Sequence, residues 1–383
     1  MSGAAGATGP KAGDPVAAID TPALVIDLDA MERNLAAMAA FARARNVRLR
    51  PHAKMHKCAA LARLQMAAGA VGVCVQKTSE AEALAAAGID DIYISNEVIA
   101  PAKLARVAAL ARRVRLAIAV DSVDGIDRLA QAIREAGAAI DVFVEVDVGH
   151  GRCGAPATAA GSLAHRVVSH APPEGGLRFA GLQAYHGAAQ HLRGADERAT
   201  ASRHAASLAS AARASITAAG IACPLVTGAG TGSFAFDTAS GVWGELQAGS
   251  YLFMDRDYAD NAPGPNTPRF EHALFVKSQV MSRGASHAVV DAGHKSHAID
   301  SGLPWVWQRE LRYANGGDEH GILQPVAGGS VADLPQLGDT VWLVPGHCDP
   351  TVNLHERYVA LRGGLSAGVV EAVWPIEARG CVA

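Results

Sequence analysis

The sequence predicts an α/β protein built as a (β/α)8 TIM barrel with a C-terminal antiparallel β domain. Three observations predict it. From residue 47 onward, short β-rich apolar runs alternate with alanine-heavy helical stretches. The runs number eight within roughly 210 residues, the size of such a barrel. Beyond residue 260 the helical periodicity stops and short alternating strands replace it.

Taken in order, residues 1–18 are rich in Ala and Gly and are expected to be a disordered tail. Residues 19–28 hold a strand at 23–27 that is expected to join the β domain, and Asp29 is expected to cap a helix over 31–44. The eight barrel strands are predicted at 47–52, 71–76, 91–95, 115–120, 141–147, 178–185, 224–227 and 245–253. Helices are predicted between them, for example at 79–88, 101–112, 123–137 and 198–220, with Pro101 suited to a first turn. Apolar strands separated by helices imply a parallel sheet covered on both faces. An open doubly wound sheet would alternate similarly, but no GxGxxG follows the first strand. The barrel domain is expected over 29–260. The turn-rich segment Asn-Ala-Pro-Gly-Pro-Asn-Thr-Pro at 261–268 opens the β domain of 261–383, with strands at 274–281, 287–291, 340–344, 358–361 and 369–374.

Composition narrows the function. The chain has 383 residues, half of them hydrophobic, which suits two domains with large cores. Net charge is −3 and no basic stripe appears, so nucleic acid is excluded as a partner. No apolar run reaches spanning length and no signal pattern opens the chain, so a membrane is excluded too. Cys58, Cys74, Cys153, Cys223, Cys348 and Cys381 form no CxxC pair, which fits reduced thiols in a cytoplasm.

A barrel gathers its chemistry at the C-terminal ends of the strands. The first strand ends in Arg50-Pro-His52-Ala-Lys54-Met-His56-Lys57. A partly desolvated amine at Lys54 can act as a nucleophile towards a carbonyl, although the same stretch also reads as a basic solvated loop. The second strand supplies Gln76 and the third Asn96 and Glu97. The fifth supplies Glu145, Asp147, His150 and Arg152, and the sixth Gln183, Tyr185 and His186 with His191 close behind. The eighth supplies Glu245, Gln247 and then Gly249, Ser250 and Tyr251. A purely structural barrel would not need so many polar groups at one rim.

After the seventh strand comes a Gly-rich loop with Gly228, Gly230, Thr231, Gly232 and Ser233. Glycines there let backbone N–H groups approach an anion, the hydroxyls add donors, and loops after strands seven and eight are the usual phosphate site of these barrels. A lysine at the first strand and a phosphate site at the last ones suggest pyridoxal 5'-phosphate. Arg152 and Tyr185, on the strands between, either border its ring or pack the rim. In the β domain, His347 and Asp349 stand two apart, so in extended chain both face one way and can hold a divalent metal such as Mg, Mn or Co. A turn capped by Asp349 before Pro350 is the competing reading. Asp318-Glu319-His320 forms a second polar cluster.

Pro51-His-Ala-Lys54, Gly151-Arg152-Cys-Gly, Gln183-Ala-Tyr185-His186-Gly, Gly230-Thr231-Gly232-Ser233, Leu246-Gln-Ala-Gly-Ser-Tyr251 and Pro345-Gly-His347-Cys-Asp349-Pro-Thr occur in this order. From about Asp20 to Gly380 the chain resembles the D-threonine aldolases and 3-hydroxy-D-aspartate aldolases, fold-type III pyridoxal-phosphate enzymes with an alanine racemase-like barrel and a D-serine dehydratase-like C-terminal domain. The resemblance implies that Lys54 forms the Schiff base with the cofactor. It implies that the 230–233 loop and the 249–251 turn hold the phosphate, and that His347 and Asp349 are the metal ligands. It further implies a homodimer that cleaves β-hydroxy-D-amino acids to glycine and an aldehyde; for the base that takes the hydroxyl proton the candidates are, in order, metal-bound hydroxide, His191 and His52. Related dehydratases carry a His-x-Cys pair; here the cysteine is the intervening residue. A dehydratase acting on D-serine or 3-hydroxyaspartate is one alternative, and a barrel that carries pyridoxal phosphate without catalysis is another.

Overall fold

The computed structural model describes residues 9–171 and 175–383. Two compact units form. One contains Leu35–Tyr251, Asp260–Arg269 and Gly380–Ala383; the other contains, of the described residues, 9–34, Leu252–Ala259 and Phe270–Arg379.

The first unit is the predicted barrel. Its strands are Arg48–Leu49, Val73–Val75, Asp91–Ile94, Arg115–Val120, Ala139–Glu145, Gly176–Ala184, Val226–Gly228 and Glu245–Leu246. All pair in parallel in sequence order, and the last returns to the first through Arg48↔Glu245 and Leu49↔Leu246. A parallel bridge between His52 and Cys74 closes the ring. The first strand is shorter than the predicted 47–52 because Pro51 has no N–H to offer the ladder. The eighth stops at Leu246, and the chain turns into a 3-10 segment at Ser250–Leu252 instead of continuing to 253.

Side chains alternate along these strands. Val73, Val75, Ile92, Ile94, Ile118, Val142 and Val144 pack outward among Leu84, Leu104, Leu129, Ile133 and Leu163. Cys74, Tyr93, Ala117, Ala119 and Phe143 form a separate cluster, the apolar layer inside the ring. A polar network lies on the same inward positions. Tyr93 Oη donates to Gln183 Oε1 at 3.0 Å, Gln247 Nε2 donates to Gln183 Oε1 at 2.7 Å, and Thr227 Oγ1 donates to Glu245 Oε1 at 2.9 Å. Buried Arg50 joins Glu245 at 3.3 Å and Asp91 at 2.5 Å. A buried carboxylate tolerates this interior only with such partners.

The segment at 261–268, expected to open the β domain, packs with the barrel unit: Ala262 N–H donates to Arg193 O at 2.9 Å and Asn261 Nδ2 to Gln190 O at 2.9 Å.

The second unit holds a nine-stranded sheet in the order Ala288–Val290, Gly321–Pro325, Leu311–Asn315, Trp305–Val306, Thr340–Val344, Leu274–Arg283, Ala23–Asp27, Arg357–Arg362, Val369–Pro375. It is antiparallel except where Ala23–Asp27 runs parallel to Arg357–Arg362. Three strands, Trp305–Val306, Leu311–Asn315 and Gly321–Pro325, were not predicted. They are two to five residues long and interrupted by charged and glycine-rich stretches that hide the alternation. Asp27, not Asp29, caps the long helix, accepting from Ala30 N at 3.2 Å. Asp29 binds Arg362 at 2.8 Å and Gly363 N at 2.8 Å instead. Of the expected tail, residues 1–8 lie outside the described residues. Residues 9–18 depart from the expectation: Val16 N–H donates to Gly368 O at 3.0 Å, and Val16 and Ile19 are buried with Val25, Val359 and Leu361. Two apolar anchors outweigh the Ala/Gly composition around them.

Candidate active site

Lys54 lies in a turn directly after the bridge at His52, where His56 N–H donates to Ala53 O at 3.2 Å and Lys57 N–H to Ala53 O at 2.7 Å. It is half-buried. The neighbouring basic residues have other tasks. Lys57 Nζ pairs with buried Glu80 at 2.9 Å, and His56, fully buried, contacts Gln65 Oε1 at 3.1 Å. His52 accepts the Lys54 N–H at Nδ1 (3.4 Å), while Nε2 contacts Ser95 Oγ at 3.2 Å and Gln76 Nε2 at 3.1 Å. Burial first, then the charges of Lys54, His56 and Arg152, push its pKa well below the ordinary imidazole value. His52 is therefore a neutral ring that fixes the lysine turn, and Gln76 is tied to it. Ser95 belongs to this cluster although its position on an apolar strand gave no signal.

The glycine-rich loop is built differently from the sequence expectation. Gly232 N–H donates to Gln190 Oε1 at 2.9 Å and Gly230 N–H to Ser233 Oγ at 3.4 Å. Ser233 Oγ donates to Asp237 Oδ2 at 2.5 Å and accepts from Gln190 Nε2 at 2.8 Å. Those three groups, expected to bind an anion, are spent inside the loop. A Cβ on Gly230 or Gly232 would overlap fully buried Gln190, which explains both glycines. Among the described residues, the Thr231 N–H and the Ser250 hydroxyl take no hydrogen bond, and Tyr251 N–H donates to Thr231 Oγ1 at 3.1 Å, joining the two segments. Gly249 packs on the lysine turn: a Cβ there would stand 2.7 Å from His52 O. The 249–251 turn therefore links the glycine-rich loop, through Thr231, to the turn that carries Lys54. Gln190 sits in an alanine-rich stretch and nothing in the sequence singled it out.

Arg152 is exposed, with its guanidinium carbon 5.9 Å from the centre of the half-buried Tyr185 ring. His191 is exposed in a 3-10 turn, Ala188–His191. Glu145 ends the fifth strand on the inward side, buried. Burial first, then the neighbouring Glu97 carboxyl, pushes its carboxyl up. Both Glu97 oxygens are buried and, among the described residues, take no hydrogen bond.

In the β unit, His347 is extended (φ −143°, ψ 138°), but Cys348–Val352 is helical, so the pair does not lie along a strand. Pro350 favours that first helical turn. The two side chains still converge, with His347 Nε2 at 3.6 Å from Asp349 Oδ1. Asp255, fully buried, accepts from His347 Nδ1 at 2.7 Å, from Cys348 N–H at 2.9 Å and from Tyr258 N–H at 3.0 Å. An imidazole held by Nδ1 presents Nε2 as an acceptor, which is what a metal ligand needs. Burial keeps the Cys348 thiol well above its ordinary pKa and so protonated. Among the described residues no group of three or more His, Cys, Asp or Glu side chains forms a metal cage. Asp318 and Glu319 pair with exposed Lys295 at 3.1 and 2.7 Å instead of joining this pair.

Residues 26–257 match the family model "Alanine racemase, N-terminal domain", and residues 273–361 match "Putative serine dehydratase domain". A D-threonine aldolase from Arthrobacter sp is 49% identical over 371 residues, covering 96% of this chain and 95% of the relative. A 3-hydroxy-D-aspartate aldolase from Paracoccus denitrificans (strain Pd 1222) is 42% identical, covering 94% and 92%. A D-threo-3-hydroxyaspartate dehydratase from Delftia sp. (strain HT23) is more distant, 33% identical over 91% of this chain and 96% of its own. The crystal structure of D-threonine aldolase from Filomicrobium marinum superposes with a TM-score of 0.92 at 50% identity, covering 98% of this chain and 100% of that one.

Proposed function

The chain belongs to the alanine racemase N-terminal-domain family, with the D-threonine and 3-hydroxy-D-aspartate aldolases among its relatives, and from that premise we propose the reaction that follows. It is a carbon–carbon lyase that cleaves a β-hydroxy-D-amino acid, of the D-threonine type, to glycine and an aldehyde. 3-Hydroxy-D-aspartate, giving glycine and glyoxylate, is the second substrate.

When bound, pyridoxal phosphate supplies an electron sink for the pair left on Cα as the Cα–Cβ bond breaks, and a divalent metal supplies a Lewis acid for the β-hydroxyl. Lys54 would hold the cofactor by its aldehyde. Thr231 and Ser250 would take the phosphate. Arg152 and Tyr185 would border the ring. His347 and Asp349 would hold the metal, whose identity among Mg, Mn and Co stays with the hard donor set. Of the two candidate histidine bases, His52 has both ring nitrogens engaged and serves to hold the lysine turn. His191, exposed on its turn, is left to take the β-hydroxyl proton at its imidazole nitrogen. The reading includes a cytoplasmic homodimer; among the described residues no helix is long and apolar enough to cross a membrane.

The single observation that carries the aldolase reading over dehydration is the carboxylate at Asp349, convergent on His347 while the Cys348 thiol is buried away from it. Incubation with D-threonine and with D-3-hydroxyaspartate, with and without EDTA, tests it. Glycine is expected, and EDTA is expected to stop turnover with the cofactor retained. A keto acid with ammonia and no glycine would establish the dehydratase. No product from either substrate would leave a cofactor carrier.

A further inference from the structure

We propose that Asp255 is a positioning residue that selects the metal-binding tautomer of His347. The inference rests on the reading of His347 and Asp349 as metal ligands. Asp255 directly precedes the short helix Arg256–Ala259 and is 92 residues away in sequence from His347. Its side chain is fully buried. Both oxygens are committed as acceptors, Oδ2 to His347 Nδ1 and Cys348 N–H, and Oδ1 to Tyr258 N–H.

A carboxylate with three N–H donors around it has only acceptor capacity. The neutral His347 ring must therefore place its one proton on Nδ1, which leaves the Nε2 lone pair on the side where Asp349 Oδ1 stands at 3.6 Å. The bond to Cys348 N–H makes the same carboxylate fix the backbone between the two ligands. One buried group thus sets the ring's proton, its orientation and the start of the helix that carries Asp349. Partners of this kind typically control metal affinity by about 10–100-fold.

Asp255→Asn keeps the shape but can turn its amide NH2 towards Nδ1, which would move the ring proton to Nε2 and block the ligand. Manganese binding to the cofactor-loaded protein, followed by electron paramagnetic resonance of free Mn2+, reads this without turnover. Asp255→Asn is expected to bind Mn2+ about 10–100-fold more weakly, with bound pyridoxal phosphate and its absorption unchanged. His347→Ala serves as the reference. If His347→Ala binds Mn2+ as the wild type does, the metal reading itself fails. If His347→Ala loses Mn2+ while Asp255→Asn keeps wild-type affinity, the role of Asp255 is overturned. Should Asp255→Asn not fold, the 15N shifts of His347 in metal-free wild-type protein decide instead: an Nδ1–H tautomer is expected, and an Nε2–H tautomer overturns the proposal.

Discussion

Gln190 and Ser233 share a 2.8 Å hydrogen bond in which the glutamine amide donates to the serine hydroxyl. Through this bond, and through Gln190 Oε1 accepting the Gly232 N–H at 2.9 Å, a residue of the sixth βα loop shapes the loop after the seventh strand. The same glutamine leaves no room for a methyl at position 230. Gly230→Ala should force the loop outward at a cost of about 1–3 kcal/mol, in the range of overpacking a filled site. That corresponds to roughly 5–150-fold weaker pyridoxal phosphate binding, measured by equilibrium dialysis. Shortening the obstructing side chain in the double variant Gly230→Ala/Gln190→Ala should recover part of the loss. Unchanged affinity in the single variant would mean this loop does not hold the phosphate.

Borohydride reduction followed by peptide mapping tests the lysine. Lys54 is expected to carry the reduced cofactor because its turn touches the 249–251 turn at Gly249 and His52. Lys57, paired with Glu80 at 2.9 Å, is expected to carry none. Label on any lysine other than Lys54 contradicts the assignment.

The contrast between Lys54 and Ser233 shows what the sequence made legible. Strand-end position is set by the period of the apolar runs, so Lys54, Gln76 and the order of the eight strands could be read locally. The use of a hydroxyl or an N–H depends on partners far along the chain. Gln190 is 43 residues from Ser233, and no periodicity links them. For the same reason Asp255 was invisible beside His347. The extended geometry expected for His347 and Asp349 was replaced by a helical turn, yet a histidine followed by the first turn of a helix still brings the pair to 3.6 Å. The barrel followed from repeated local pattern; the short strands between 305 and 325 did not, because each has too few residues to show alternation.

Glu145 gives a pH dependence with a definite sign. Burial and the neighbouring carboxyl raise Glu145 from 4.5 to about 9, with Asp121 adding to the rise and Arg152 opposing it. Above pH 4.5 the unfolded chain gives up this proton while the folded chain keeps it, so the unfolded state binds fewer protons and stability falls as pH rises towards 9. Glu145→Gln removes that difference. Melting curves from pH 5 to 9 should show a smaller decline for Glu145→Gln than for the wild type, with the gap widest near pH 9. Parallel declines would mean that folded Glu145 does not keep its proton over this range.

Arg50 is the remaining test, because it separates the barrel's stability from its chemistry. Its side chain is buried between Asp91 at 2.5 Å and Glu245 at 3.3 Å, below the polar network that reaches Thr227 and Gln247. Burial of the guanidinium is opposed by these two carboxylates, which hold it charged. Without Arg50, Glu245 keeps only Arg48 at 3.0 Å and Asp91 only Arg115 at 3.5 Å, both arginines more than a third exposed, so the loss is about 3–5 kcal/mol. Arg50→Met should therefore lower the melting temperature by roughly 6–20 °C, given a few degrees per kcal/mol in a domain of this size. Replacing the carboxylates as well, in Arg50→Met/Asp91→Leu/Glu245→Gln, should return most of that loss, since a filled apolar interior can match a buried ion cluster. If the single variant melts like the wild type, Arg50 is solvated in the native protein and its buried pairing with Asp91 and Glu245 is wrong.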